Sequence, residues 1–167
     1  KLTYPIYYDG TIGQAKRHLT KTAEKINEKY SDVKAYISVN KALVTQASAA
    51  IPIVPLYFAI LYKVMKAQGT HEGCIEQISR LFHEKLFVEK PVTDEQGRIR
   101  MDDWELSDEV QDKVMECWKN VTTENVTELS DIDGYWQDFY QMFGFHLDGV
   151  DYAKDVDLEI AIPSLEK

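Results

Sequence analysis

Between Thr11 and about Tyr30 the apolar residues Ile12, Ala15, Leu19, Ala23 and Ile26 recur at steps of three and four, separated mostly by lysines, glutamates and threonines. That spacing predicts an amphipathic helix, with Thr11 as its N-cap. The pattern changes at residues 33–40, VKAYISVN, where alternation and β-branched and aromatic side chains predict a strand. The small polar stretch TQAS soon follows and reads as a loop. The most apolar run, AAIPIVPLYFAILYKVM from Ala49, contains Pro52 and Pro55. It predicts a loop feeding a buried helix that begins near Pro55, because proline is tolerated in a first turn. Lys63 interrupts the run, which falls short of the roughly 20 apolar residues a membrane span needs.

Beyond Gly69, HEGCIEQISRLFHEKLF puts Ile75, Ile78, Leu81, Phe82 and Leu86 on one face and predicts a second amphipathic helix. VTDEQGRIRMDDWEL then carries a turn at Gln96-Gly97 and a short strand. Ser107 caps a third helix, DEVQDKVMECWKNV, with acidic residues in its first turn. A fourth lies around GYWQDFYQMFGF, whose Tyr135, Trp136, Phe139, Tyr140 and Phe143 have the spacing of core residues. Tyr135, beside Gly134, is the member placed to line a pocket. The tail from Leu147 has no clear period.

The order is helix, strand, buried helix and further helices, which is an α/β arrangement, mostly helical, with a parallel strand near 33–40. A buried parallel strand needs neighbours for its backbone groups. The rest of the sheet is therefore expected from a partner chain or from sequence preceding residue 1, and residues 1–167 read as the C-terminal part of one larger domain.

Charge divides unevenly. Residues 1–100 hold 15 basic and 10 acidic side chains, and the remainder holds 4 and 18. The acidic second half disfavours nucleic acid as a partner, while the basic first half suits either an anionic ligand or a solvated surface. Cys74 and Cys117 form no CxxC and indicate neither a disulfide framework nor a zinc ribbon. Reduced thiols and a cytoplasmic location are the simplest expectation, or an organellar one in a eukaryote. Two Asn-Val-Thr sequons, at Asn120 and Asn125, carry no weight without a signal peptide. His71 and Cys74 are three apart but have no second pair of ligands, so no metal is expected and they are read as a packed Cys with a capping or core His.

Tyr7 and Lys16 form a Tyr-x8-Lys pair in YYDGTIGQAK. A phenol can donate a proton to an enolate, and a nearby ammonium lowers its pKa. Nine residues of unbroken helix would turn about 900° and separate the two by roughly 13 Å. They converge only if the chain bends between them, and Asp9-Gly10 supplies a bend. On these residues alone, packed tyrosines with a solvated lysine are the preferred reading, and a phosphate cradled by DGTIG at a helix N-terminus is a lesser one, since the stretch lacks the spacing of an established phosphate loop. KALVTQAS, residues 41–48, follows the strand at the end where open α/β sheets bind ligands. Its Thr45 and Ser48 offer hydroxyls, and Leu43 and Val44 offer apolar surface for a cofactor ring.

YYDGTIGQAKRHL, ISVNKALVTQASAAIPIVPLY, KVMKAQGTHEGCIEQISRLF, RIRMDDWEL and DGVDY occur in the order and spacing of the trans-2-enoyl-CoA reductase family, which includes the V-type enoyl-ACP reductases, and the chain resembles its C-terminal part. The resemblance implies an enlarged Rossmann-like, short-chain-dehydrogenase-like fold and NADH-dependent reduction of the double bond of an enoyl-CoA or enoyl-ACP. It further implies Tyr7 and Lys16 as catalytic residues, and Lys16, Leu43, Val44, Thr45 and Ser48 as cofactor-binding ones. Tyr135, Val54 and Tyr62 would border the acyl chain. It also implies a missing N-terminal part that holds the glycine-rich dinucleotide loop, inactivity without that part, and a monomer or homodimer when complete. Two rivals are weighed against this reading. One is a classical short-chain dehydrogenase, whose Tyr and Lys lie four apart where this chain has Thr11. The other is a non-catalytic helical module with an acidic binding face.

Overall fold

A computed structural model describes residues 8–157, 159 and 161. Helix α1 spans Thr11–Lys29. Its N-cap is Gly10 rather than Thr11, because the backbone is still extended at Gly10 (φ −85°, ψ −173°) and already helical at Thr11. Asn27 ties the far end of α1 to the following segment, donating to the Ala35 carbonyl at 2.9 Å and accepting its N–H at 2.7 Å.

The strand expected over 33–40 is shorter, β1 being Ser38–Val39. Its parallel partner is β2, Ile99–Arg100, with Ser38 opposite Ile99 and Val39 opposite Arg100. One neighbour of the strand thus comes from within the chain, from the short strand anticipated after Gln96-Gly97. The turn ahead of it closes as expected, with Gly97 at φ +72° and its N–H on the Asp94 carbonyl at 3.0 Å.

TQAS, read as a loop, contributes to a short helix, α2 (Gln46–Ala49), because Thr45 and Ser48 form a reciprocal capping box. Helix α3, Val54–Gln68, begins where the prolines place it, with Pro55 in its first turn. The residue before it, Ile53, has φ +75°, a region that a β-branched side chain rarely enters. Gly69 ends α3 in the left-handed conformation (φ +70°), and the Thr70 N–H reaches back to the Met65 carbonyl at 2.9 Å.

α3 is the centre of the molecule. Ile60, Leu61, Val64 and Met65 pack against Val110 and Val114 of α5 (Asp108–Asn120). Val54, Phe58, Ala59 and Tyr62 pack against Val44 and against Tyr135 of α7 (Ile132–Gln141). Ser107 caps α5 as expected, its Oγ accepting the Val110 N–H. A four-residue helix, α6 (Val126–Leu129), lies between α5 and α7.

Two expected faces turn outward. α4 (Cys74–Arg80) runs into a π-helical turn, Leu81–Leu86, and Ile75, Ile78 and Phe82 are exposed. Gln77 and Arg80 are the side that is buried, because Arg80 makes a two-pronged ion pair with buried Glu72 at 2.6 and 2.8 Å and donates to the Met101 carbonyl. In α7 only Tyr135 is buried, whereas Trp136, Tyr140 and the nearby Phe143 stay exposed in a stack of aromatic rings. Cys74, expected to be packed, is exposed. Among the described residues no helix is long and apolar enough to cross a membrane.

Candidate active site

Among the described residues a wide cleft, about 860 Å³, runs between α1 and the carboxyl end of the β1–β2 pair. Lys16 stands on its α1 wall, exposed, because the helix that starts at Thr11 turns this position toward the cleft. Tyr7 lies outside the described residues. Its neighbour Tyr8 is on the cleft, with the Arg17 guanidinium 5.3 Å from its ring centre. Val54 and Phe58, at the start of α3, form part of the opposite wall.

The remaining anticipated residues group around the buried cluster behind that wall. Val44 is buried, and its N–H donates to the Tyr62 hydroxyl at 3.2 Å. Thr45 is exposed at the carboxyl end of β1, whereas Ser48 is buried. The Ser48 hydroxyl accepts the Thr45 N–H at 2.8 Å and donates to the Thr45 carbonyl at 2.9 Å, so it shapes the turn. Leu43, just before Val44, is half-buried. Tyr62 and Tyr135 are buried in the same cluster as Val44 and Val54, and the Tyr135 hydroxyl has no hydrogen-bond partner among the described residues. Cleft and cluster meet at Val54 and Phe58.

Sequence reading missed the charged groups beneath this loop. Lys41 is 2% exposed, donates to the Ala42 carbonyl at 2.9 Å and lies 5.0 Å from the Tyr62 ring centre. Burial pulls its ammonium down to about 8, against the raising influence of Glu105, Glu72 and Asp138. Glu105 is also buried, accepting the Ala42 N–H at 2.7 Å and the Tyr57 hydroxyl at 2.7 Å. Burial raises its carboxyl above the ordinary range although both donors favour the anion. Burial likewise raises the Tyr62 phenol, with Asp138 adding to the effect. His71 packs its ring against Tyr62 at 4.4 Å, and burial with Lys41 and Lys66 nearby lowers it to about 4. Isolated charges have no periodicity, so the one available signal was Lys41 standing between a predicted strand and an apolar loop.

A family model described as the trans-2-enoyl-CoA reductase catalytic region matches residues 1–87. The chain belongs to the trans-2-enoyl-CoA reductase family. An enoyl-[acyl-carrier-protein] reductase [NADH] of Coxiella burnetii is 53% identical over 99% of this chain and 42% of its own length. A trans-2-enoyl-CoA reductase [NADH] of Clostridium perfringens is 58% identical over 95% of this chain and 41% of its own. The solved trans-2-enoyl-CoA reductase of Clostridium acetobutulicum in complex with NAD superimposes with a TM-score of 0.90 at 54% identity, covering 99% of this chain and 43% of that one. The chain thus spans well under half the length of these relatives.

A second family model, described as an enoyl reductase FAD binding domain, matches residues 93–156. In that segment Gly97 lies in the turn before β2, Gly134 sits inside α7, and Gly144 and Gly149 follow it. None joins the carboxyl end of a strand to a helix N-terminus, the arrangement that cradles a pyrophosphate. Among the described residues this segment therefore offers no pyrophosphate cradle of the kind a flavin dinucleotide needs.

Proposed function

We propose that this chain is the catalytic and substrate-binding part, residues 1–167, of a larger reductase domain that reduces the trans-2 double bond of enoyl-CoA or enoyl-ACP with NADH. The observation that carries the reading is the match of residues 1–87 to the family's catalytic region. Its dinucleotide-binding part belongs to sequence outside this chain, and the complete protein acts in the cytoplasm as a monomer or homodimer.

The residues present suit the nicotinamide end of the cofactor. Lys16 offers an accessible ammonium on the cleft, and Leu43, Val44 and Thr45 form a loop at the carboxyl end of a parallel strand. When bound, NADH supplies the hydride that adds to the β-carbon of the enoyl group. Charge then moves onto the thioester oxygen, where the Tyr7 hydroxyl donates a hydrogen bond and can supply a proton. Lys16 favours the phenolate and holds a ribose hydroxyl. Ser48, with its hydroxyl engaged on Thr45, shapes that loop from beside it. Val54 borders the acyl chain, with Tyr62 and Tyr135 packed behind it.

The test uses the full-length protein, with NADH oxidation followed in the presence of crotonyl-CoA. Tyr7→Phe is expected to lower kcat by at least a hundredfold with its melting temperature unchanged. Near-normal turnover would remove Tyr7 from the reaction. An inactive wild type, with both CoA and acyl-carrier substrates, would remove the reading as a whole.

A further inference from the structure

Three backbone N–H groups in the loop after β1 are each held by a side chain from a different place. Ala42 donates to Glu105 Oε2 at 2.7 Å, Val44 to the Tyr62 hydroxyl at 3.2 Å, and Thr45 to Ser48 Oγ at 2.8 Å. Two of these holds are local to the loop's own helix or to the central helix. The Glu105 contact reaches across 63 residues and comes from the segment between β2 and α5.

Glu105 holds more than one element. Its Oε1 accepts the Tyr57 hydroxyl from the first turn of α3, and its backbone carbonyl accepts Gln111 Nε2 of α5 at 2.8 Å. Gln111 Nε2 also reaches the Tyr57 oxygen at 3.3 Å. Lys41 closes the arrangement from the other side, with Nζ on the carbonyl of the same Ala42 whose N–H is on Glu105. Both polar groups of one peptide residue are thus captured by buried side chains of opposite type. A carboxylate suits this place because it offers two acceptor oxygens to two donors, whereas an amide would turn its NH2 toward one of them.

We propose that Glu105 is a positioning residue for the cofactor loop, fixing Leu43, Val44 and Thr45 relative to the cleft before any ligand arrives. This rests on the reading that the loop flanks the nicotinamide. Hydride transfer depends steeply on the approach of donor and acceptor carbons, and a displacement of about 1 Å costs up to a hundredfold in rate. Glu105 also lines that cleft. It acts through the Ala42 amide.

Two measurements on the full-length protein test the proposal. In the wild type without cofactor, amide hydrogen exchange across residues 42–45 should already be slow, and added NADH should change it little. Exchange at a free-loop rate that slows only when NADH binds would overturn the proposal, and this readout needs no variant to fold and no turnover. The second measurement is Glu105→Gln. It should lower kcat about tenfold to a hundredfold, raise KM for NADH, leave KM for crotonyl-CoA within about twofold, and enlarge the kinetic isotope effect with NADH deuterated at the transferred hydrogen. A folded Glu105→Gln with wild-type kcat, KM for NADH and isotope effect overturns the proposal. A fall in melting temperature alone, with those three unchanged, reduces Glu105 to a structural residue and counts against it equally. Protection of 42–45 in a protein that oxidises no NADH would leave the clamp standing and remove the reductase reading.

Discussion

His71 shows how a single side chain can make the fold sensitive to acid. Its ring lies against Tyr62, its Nδ1 has no hydrogen-bond partner among the described residues, and its pKa is depressed to about 4. A folded pKa below the ordinary 6.5 means the unfolded chain takes up the proton first. Stability linked to His71 is therefore complete above about pH 6.5 and falls as pH drops toward 4. Urea midpoints between pH 7 and pH 4 should decline less steeply in His71→Phe than in wild type. Equal slopes would show that His71 is already charged in the folded state. The histidine was visible in the sequence as a packed side chain, but its neighbours were not. Lys41, Lys66 and Tyr62 come to it from positions that share no motif, and only the packing of α3 assembles them.

At the scale of elements, legibility followed periodicity and stopped at orientation. The repeat in 75–86 says correctly that Ile75, Ile78 and Phe82 share a side, but spacing does not say which side faces inward. Arg80 decides it. Its guanidinium is buried against Glu72, also contacts Asp103 at 2.9 Å and lies 4.0 Å from the Trp104 ring centre, so the polar face turns in. Arg80→Met should cost about 3–5 kcal/mol, because Glu72 is left as an uncompensated buried charge. Adding Glu72→Leu should recover most of that loss in chemical denaturation, and a double variant no better than the single one would contradict this account. α3 was the most legible element, since its prolines mark the start, its apolar run the body and Gly69 the end. β2 was the least, at two residues, because a strand that short carries no alternation and is defined by its partner.

For the whole molecule, α1 is the helix that the described residues leave most open. Gly13 is its one buried residue, Leu19 is 53% exposed, and the helix is tethered near its end by Asn27. An apolar stripe of this kind belongs against a sheet or helix layer, which the longer relatives have the length to supply. When the 167-residue chain is prepared alone, amides of 15–26 should exchange far faster than those of 58–65 in α3. In the full-length protein the two sets should approach one another, and fast exchange of α1 there would mean that nothing packs on its stripe. The sequence carried the α/β order and the outline of the loop after β1. It could not carry the clamp, which depends on a contact across 63 residues between two chain segments with no pattern in common.

The π-helical turn at Leu81–Leu86 adds a point about length. Its Phe87 N–H bonds to the Phe82 carbonyl at 2.9 Å, a step of five residues where an α-helix uses four. The turn therefore contains one residue more than continuous helix requires. Loss of a single residue here would remove that excess from a turn whose side chains are not fully buried. The same loss in α3 would rotate one half of its core face away from α5 and α7. A one-residue deletion should therefore lower the melting temperature less in this turn than in α3, and equal losses would contradict this account.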